Sequence, residues 1–157
     1  MKLKQVSFLF SMMCTLLIGC EQGVIIDKNL KIANAEWERE RTAKFQFEIS
    51  DSLAEYEVYL NFRHGGDYPY QNLYLFTKTV GPEGLLAKDT AQMLLADNRG
   101  RWLGKGIGDI FDYQFKYKSG QLFPVKGEYT FEIEQAMYDK ILESVTDIGL
   151  TIKQKTE

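Results

Sequence analysis

The feature that most constrains the fold is a regular alternation of apolar and polar residues in four separate segments. The segment from Lys44 to Ile49 reads "KFQFEI", and those beginning at Glu55, Asp112 and Glu128 read "EYEVYLNFR", "DYQFKYK" and "EYTFEIE". A period of two residues places every second side chain on the same face of an extended strand. The apolar positions are mainly aromatic or β-branched, which strands favour. Each segment therefore predicts a strand with one face buried and the other in water.

Turn residues separate these segments and indicate the class of fold. The runs "GPEG" (81–84) and "DNRG" (97–100) have the composition of type I turns, while "NLYLFTKTV" (72–80) is apolar on both faces at its start and predicts a more central strand. Many short strands of even spacing predict an all-β chain, an antiparallel two-sheet β-sandwich of jelly-roll-like type. Helical spacing occurs in "EQAMYDKILESV" (134–145), which predicts one short helix near the C-terminus.

The first 20 residues have the organisation of a secretory leader. Two basic residues, Lys2 and Lys4, precede an uncharged run from Val6 to Ile18, which is shorter than the roughly 20 residues of a membrane-spanning helix. The run closes with "LIGC", a small residue before Cys20, as bacterial lipoprotein signal peptidase requires. An ordinary signal peptide ending near a cysteine is the alternative. We expect a lipoprotein signal peptide at 1–19, an acylated Cys20 with a short tether at 20–23, and a single domain at 24–157.

Cysteine content and charge exclude several classes of function. The chain has two cysteines; Cys14 leaves with the leader and Cys20 takes the lipid, so disulfides, thiolate metal sites and cysteine nucleophiles are not expected in the mature domain. Removal of residues 1–19 takes away two lysines and no acid, which leaves 17 basic and 22 acidic residues and a net charge of −5. An acidic domain without a basic cluster argues against a nucleic-acid partner.

A glycine-rich stretch, "RGRWLGKGIGDIFD" (99–112), superficially resembles a phosphate-binding loop. Gly100 and Gly104 are one residue too close for a P-loop, and Gly106 follows Lys105 where a hydroxyl should bind the metal ion. The residues that follow alternate as a strand, whereas a P-loop opens a helix. We therefore expect no nucleotide and no cofactor, and we interpret the glycines as positions of positive φ or of close backbone approach.

Catalytic and metal-binding constellations find little support. His64 is the single histidine of the chain, no serine stands in a strand–elbow–helix context, and a histidine-based metal site lacks a second imidazole. A pair of carboxylates distant in sequence stays open as a hydrolase alternative. The sequence favours a protein that is not an enzyme, with no catalytic residue and no metal site.

A binding surface is the more promising prediction. Aromatic, amide and charged residues surround the turn in "RHGGDYPYQN" (63–72), and Trp102 lies in a second loop; such sets suit sugar stacking or a protein hot spot. The alternative is that Tyr68, Tyr70 and Trp102 close the end of the sandwich as core. The candidate binding surface consists of Arg63, Asp67, Tyr68, Tyr70, Asn72, Trp102, Lys105 and Asp109.

Four distinctive segments carry a resemblance to a known family. The chain reads "YPYQNLYLF" (68–76), "DTAQMLLADNRGRWLGKGIGDIFD" (89–112), "FPVKGEY" (123–129) and "IEQAMYDKILESVTDIGL" (133–150). In order and spacing these resemble the gliding-motility lipoprotein H (GldH) family of Bacteroidetes, and Cys20 stands where that family has its lipidated cysteine. The resemblance implies a lipid-anchored envelope component of the gliding machinery, which is linked to type IX secretion. It brings no catalytic residues.

The residues and the resemblance together give one leading function and one alternative. We expect a non-enzymatic lipoprotein anchored in the outer membrane that acts by contact with other gliding or secretion envelope proteins. Export to the cell surface in this group is associated with an acidic run after the cysteine, and Glu21-Gln22-Gly23 has a single acid, which favours the periplasmic face. The alternative is a glycan-binding β-sandwich module that uses Tyr68, Tyr70 and Trp102.

Overall fold

The computed structural model describes residues 23–156; Cys20, the leader and Glu157 lie outside the described residues. Within that range the chain forms a short 3-10 turn, Ala33–Ala35, and eleven strands. The strands are β1 (Val24–Lys31), β2 (Glu36–Glu38), β3 (Ala43–Ile49), β4 (Tyr56–Gly65), β5 (Asn72–Gly81), β6 (Gly84–Leu94), β7 (Lys105–Ile107), β8 (Ile110–Gln121), β9 (Gly127–Gln135), β10 (Ile141–Glu143) and β11 (Val145–Gln154).

Two antiparallel sheets face each other across one core. The five-stranded sheet has the order β1-β11-β4-β8-β7 and the four-stranded sheet has the order β3-β9-β5-β6, while β10 and β2 form a separate two-stranded ribbon. Every pair of neighbouring strands runs antiparallel. Side chains meet between the sheets, as where Thr77 Oγ1 and the Tyr117 hydroxyl lie 2.9 Å apart. The prediction of an all-β antiparallel sandwich is confirmed.

The alternating segments become β3, β4, β8 and β9, and their apolar positions form much of the core. Phe45, Phe47 and Ile49 are all buried, as are the matching positions of β4 and β9. One end of the core is an aromatic cluster in which the ring of Phe123 lies 4.9 to 5.7 Å from the rings of Phe47, Tyr56 and Tyr129. The aromatic residues of β8 are only half-buried, because β8 lies near the edge of its sheet.

The predicted helix at 134–145 is wrong. This segment ends β9, makes a turn, and then forms β10 and the start of β11. The Gln135 side chain is buried and replaces the helical hydrogen bonds: its Oε1 accepts from the Met137 N–H at 2.9 Å, and its Nε2 donates to the Asp139 carbonyl at 2.9 Å. The Arg39 guanidinium donates to the Met137 carbonyl at 2.8 Å. The helical spacing arose because Met137 on the turn and Val145 on the strand both reach the core.

The two ends of the sandwich differ in what they carry. We call the end at Gly23 the tether end; there Gly23 O accepts from Gln154 N–H at 2.7 Å, and Tyr56 pairs with both Gln154 and Gln121. The opposite end, which we call the distal end, holds the β7–β8 hairpin and the 3-10 turn. The eight residues of β1 run from one end towards the other, a distance of about 23 Å at 3.3 Å per residue. Among residues 23–156, no helix is both long and apolar enough to span a bilayer.

Candidate functional site

The glycine-rich stretch is a hairpin rather than a phosphate loop. β7 pairs with β8 through Ile107 and Ile110, so that Gly108 and Asp109 form a two-residue turn. Gly100 and Gly108 have positive φ, of 75° and 62°. At Gly106 a Cβ atom would lie 2.9 Å from the ring of Phe111, so this glycine lets the aromatic ring cover the hairpin. The interpretation of these glycines as turn and close-approach positions agrees with the structure.

Two aromatic residues of the candidate surface, Tyr68 and Trp102, pack against His64. The His64 ring lies 4.6 Å from the Trp102 ring, 5.3 Å from Tyr68 and 5.8 Å from Phe111. Tyr68 is only 3% exposed, and Trp102 is half-buried. The cluster closes the distal end of the sandwich, which leaves Tyr68 without an exposed ring face for stacking.

His64 is fully buried at the centre of this cluster. Its Nδ1 atom lies 2.8 Å from the Gly65 carbonyl, whereas its Nε2 atom has no hydrogen-bond partner among the described residues. Burial disfavours the charged imidazolium and lowers the pKa of His64 below its ordinary value. His64 is therefore a neutral core residue at neutral pH.

The other candidate residues near the turn are spread over different surroundings. The Tyr70 hydroxyl donates to the carboxylate of Asp139, which raises the pKa of Tyr70. Asp67 is exposed, and a hydrogen bond from Ser144 lowers the pKa of its carboxyl group. Asn72 is half-buried at the start of β5, and Asp109 is exposed at the tip of the hairpin. The structure thus does not bring the eight predicted residues into one continuous surface.

The outer face of the five-stranded sheet carries a groove. It lies at the distal end, between the 3-10 turn and the β7–β8 hairpin, and has a volume of about 1000 Å³. One part of its wall is apolar, and the other part is charged or polar. The apolar part comprises Ile32, Leu103, Ile107 and Ile110; the charged and polar part includes Lys31, Arg63, Lys105, Asp112, Gln114 and Asp147.

Arg63 organises the charged part of the groove. Arg63 Nε donates to Asp112 Oδ2 at 3.2 Å, and Arg63 Nη1 lies 3.5 Å from Asp147 Oδ2. The hydrogen bond to Asp112 is the main cause of the raised pKa of Arg63. Lys31 and Lys105 make no ion pair within residues 23–156. Together with Arg63 they exceed the two carboxylates of the lining, Asp112 and Asp147, by one, so the groove has a net positive charge beside an apolar wall. Such a groove suits a ligand with apolar and acidic groups.

A ladder of hydrogen-bonded side chains crosses the same sheet face and holds the floor of the groove. Gln114 Nε2 donates to Asn61 Oδ1 at 2.9 Å, Asn61 Nδ2 donates to Thr151 Oγ1 at 2.8 Å, and Thr151 Oγ1 donates to Asp27 Oδ1 at 2.8 Å. Gly149 makes room for this ladder, because a Cβ there would lie 1.7 Å from Asn29 Oδ1. A satisfied polar network of this kind is rigid, so Gln114 is held in place at the groove.

Sequence reasoning therefore identified two groove residues, Arg63 and Lys105, and missed most of the others. Lys31, Asp112 and Asp147 belong to strands whose polar faces read as ordinary solvated surface. Ile107 and Ile110 could have indicated the apolar wall from the sequence, since two isoleucines flank the turn of a polar, glycine-rich hairpin. Their proximity to Arg63 depends on β4 and β8 being neighbours, which the sequence does not reveal.

The chemistry available in the groove is that of binding. Both carboxylates that line it face Arg63, and the Thr146 hydroxyl donates to the Arg63 carbonyl at 3.1 Å. Residues 23–156 contain no group of three or more histidine, cysteine, aspartate or glutamate side chains placed to hold a metal ion. The arrangement offers fixed charges and an apolar wall.

The sandwich with its groove follows a segment whose sequence, ending in "LIGC", predicts a lipoprotein signal peptide, and this combination is typical of envelope lipoproteins. The family model of the GldH lipoprotein matches residues 24–152, which is nearly the whole sandwich. The chain belongs to the GldH lipoprotein family, and the resemblance seen in its sequence is confirmed.

Two curated relatives extend this result. The chain is 32% identical over 154 residues to the gliding motility lipoprotein GldH homolog of Christiangramia forsetii, with 94% of each chain covered. It is 30% identical over 147 residues to the gliding motility lipoprotein GldH of Flavobacterium johnsoniae, covering 89% of this chain and 91% of that one. Among solved structures, one of the infectious bursal disease virus Gx strain aligns with 86% of this chain and 31% of its own, at 11% identity and a TM-score of 0.33, a value too low to support any argument.

Proposed function

We propose that this protein is a non-enzymatic, lipid-anchored component of the outer membrane, which acts in gliding and type IX secretion by binding another envelope protein in the distal groove. Cys20 carries the anchor, and the sandwich faces the periplasm. The names of the two relatives support the assignment to gliding motility, and the leader sequence supports the anchor. The groove is the observation that supports the proposed mode of action, the binding of another protein.

A protein segment fits the groove better than a small substrate does. Three of the apolar side chains that line it are exposed: Ile107 is 89% exposed, and Leu103 and Ile110 are exposed as well, whereas Ile32 belongs to the core. Apolar groups held in water beside charged ones are typical of a protein interface, where a partner covers them. The free charges of Lys31 and Lys105 favour a partner segment with acidic residues next to apolar ones.

A glycan-binding module is the second function that the sequence suggested. Sugar recognition by stacking needs an aromatic ring with an open face. The rings of Tyr68 and Trp102 instead contact His64 and each other, so the observation that motivated this alternative now supports a core role for them. Within the groove, Tyr113 is the one aromatic residue of the lining, and it is half-buried.

The experiment replaces the protein in its host with an I107E/I110E variant. Two carboxylates on the apolar wall should abolish binding of an apolar, acidic partner segment, because they remove the apolar contact and repel acidic groups. We expect the variant to accumulate in the membrane like the unaltered protein and to reproduce the secretion defect, and in a gliding host the motility defect, of a deletion strain.

The matched control is L94E/Y138E, which changes two exposed apolar residues of the distal end outside the groove. This control variant should restore secretion fully. Normal secretion with I107E/I110E, or equal defects in both variants, would contradict the assignment of function to the groove.

A further inference from the structure

We infer that the tether end of the sandwich rests directly on the lipid headgroups through four exposed leucines: Leu53, Leu85, Leu86 and Leu122. This inference rests on the proposed anchor at Cys20 and adds a second contact between the protein and the membrane. It also gives the domain a fixed orientation.

The chain leaves the sandwich at a fixed point close to the membrane. Gly23 is held by a 2.7 Å hydrogen bond from Gln154, and the neighbouring Lys155 N–H donates to the Glu55 carbonyl at 2.8 Å. Gly23 is three residue steps from Cys20, so even a fully extended tether reaches only about 11 Å. The polar headgroup layer of one leaflet is itself about 5 to 7 Å thick. Once the acyl chains enter the hydrocarbon, the tether end cannot stand more than a few ångströms clear of the headgroups.

Leu53 and Leu122 lie in connections at the tether end. Leu53 is in the connection between β3 and β4, two residues before Glu55, and is 91% exposed. Leu122 follows Gln121, the partner of Tyr56, and is 54% exposed.

The β5–β6 hairpin contributes the other two leucines at the same end. Leu85 is 59% exposed, and Leu85 and Leu86 line a cavity of about 170 Å³ together with Pro124 and Val125 of the connection from β8 to β9. All four leucines therefore belong to one end of the molecule. Apolar groups gathered on one face mark an interaction surface, and here the lipid surface is already within reach.

Two lysines at this end are paired within the protein, whereas Asp51, Glu83 and Lys126 make no ion pair among residues 23–156. Lys155 Nζ lies 2.6 Å from Glu55 Oε2, and Lys116 Nζ lies 2.8 Å from Glu57 Oε1. Approach to the headgroups therefore leaves these charges paired, and the exposed leucines supply the attraction. In this orientation β1 runs away from the bilayer, which places the groove roughly 20 Å from the headgroups and open to a protein partner.

The test uses the full, lipidated protein reconstituted into vesicles of phosphatidylethanolamine and phosphatidylglycerol. Single cysteines in L53C and L85C carry the environment-sensitive dye NBD, and I107C carries the same dye at the distal end. The acylated Cys20 has no free thiol, so labelling is confined to the new site. We expect blue-shifted emission and several-fold stronger quenching by nitroxide lipids at positions 53 and 85 than at position 107.

Flotation of the vesicles tests the lipid anchor separately from the contact between the leucines and the headgroups. Protein that floats while its dyes at 53 and 85 stay as accessible to water as the dye at 107 would overturn the inference and leave the anchor intact. Dyes that are shielded but not quenched by lipid nitroxides would show self-association instead, and would also overturn it. Protein that does not float at all would overturn the anchor, and the inference with it.

Discussion

At the scale of single residues, His64 links the stability of the fold to pH. Burial among aromatic rings lowers its pKa, so the unfolded chain binds a proton more readily than the folded one as the pH falls below the ordinary pKa of about 6.5. The contribution of the neutral imidazole to the free energy of unfolding is complete above that pKa, and it is lost as the pH falls through the lower pKa of His64 in the folded protein. The steepest slope that one such group gives is about 1.4 kcal/mol per pH unit.

We predict that an H64F variant, which keeps an aromatic ring and removes the titration, loses less stability on acidification than the unaltered protein. The measurement is the free energy of unfolding by urea at about pH 7.5 and about pH 5.5, a window above the titration of most carboxylates. His64 is the single histidine of the chain, so no other imidazole contributes. An equal loss in both proteins would show that His64 does not titrate in the folded state in the way its burial requires.

The residue scale also shows what sequence reasoning can and cannot reach. Local spacing was enough to reject a phosphate loop, and the glycines of the hairpin have the roles that their positions suggested. The packing of Tyr68 and Trp102 around His64 could not be predicted from the sequence. An aromatic residue in a loop gives the same local pattern whether its ring faces water or the core. Only the position of β8 next to β4, with Phe111 opposite His64, decides that question.

At the scale of secondary-structure elements, the alternation of apolar and polar residues predicted four strands correctly. The helical spacing of apolar residues gave a wrong prediction at one turn. Four alternating segments became β3, β4, β8 and β9, because a half-buried strand imposes a period of two directly on the sequence. The segment 134–145 has the spacing of a helix because its tight turn, the short β10 and the first residue of β11 each place an apolar residue in the core. Its hydrogen bonds are partly local, from the side chain of Gln135, and partly long-range, from Arg39 to the carbonyl of Met137.

We predict that the turn after β9 depends on the side chain of Gln135. A Q135A variant leaves the buried Met137 N–H without its partner and removes one of the two donors to the Asp139 carbonyl, which also accepts from Arg39. We expect this to cost about 1 to 3 kcal/mol of unfolding free energy. Urea denaturation measures this loss, and Q92A, at an exposed position of β6, is the control and should change stability by less than about 0.5 kcal/mol. If the two variants are equally stable, the turn is held by something other than Gln135.

At the scale of the whole molecule, the sandwich separates two tasks. The tether end approaches the membrane, and the distal end presents a groove with an apolar wall, two free lysines and an arginine held between two carboxylates. The sequence indicated the leader, the fold class and the family, all of which depend on local patterns. It did not indicate the groove, because residues from β1, β4, β7, β8 and β11 meet there only once the sheet order is known.

The central claim, that the distal groove holds a protein partner, is tested most directly by photo-crosslinking in living cells. A photoreactive phenylalanine derivative replaces Ile107 in the groove, and in a parallel strain it replaces Tyr138, which is equally exposed at the same end but outside the groove. The account predicts one discrete protein adduct from position 107, absent from position 138 and lost when I110E is added. No adduct from position 107, or the same adducts from both positions, would contradict it.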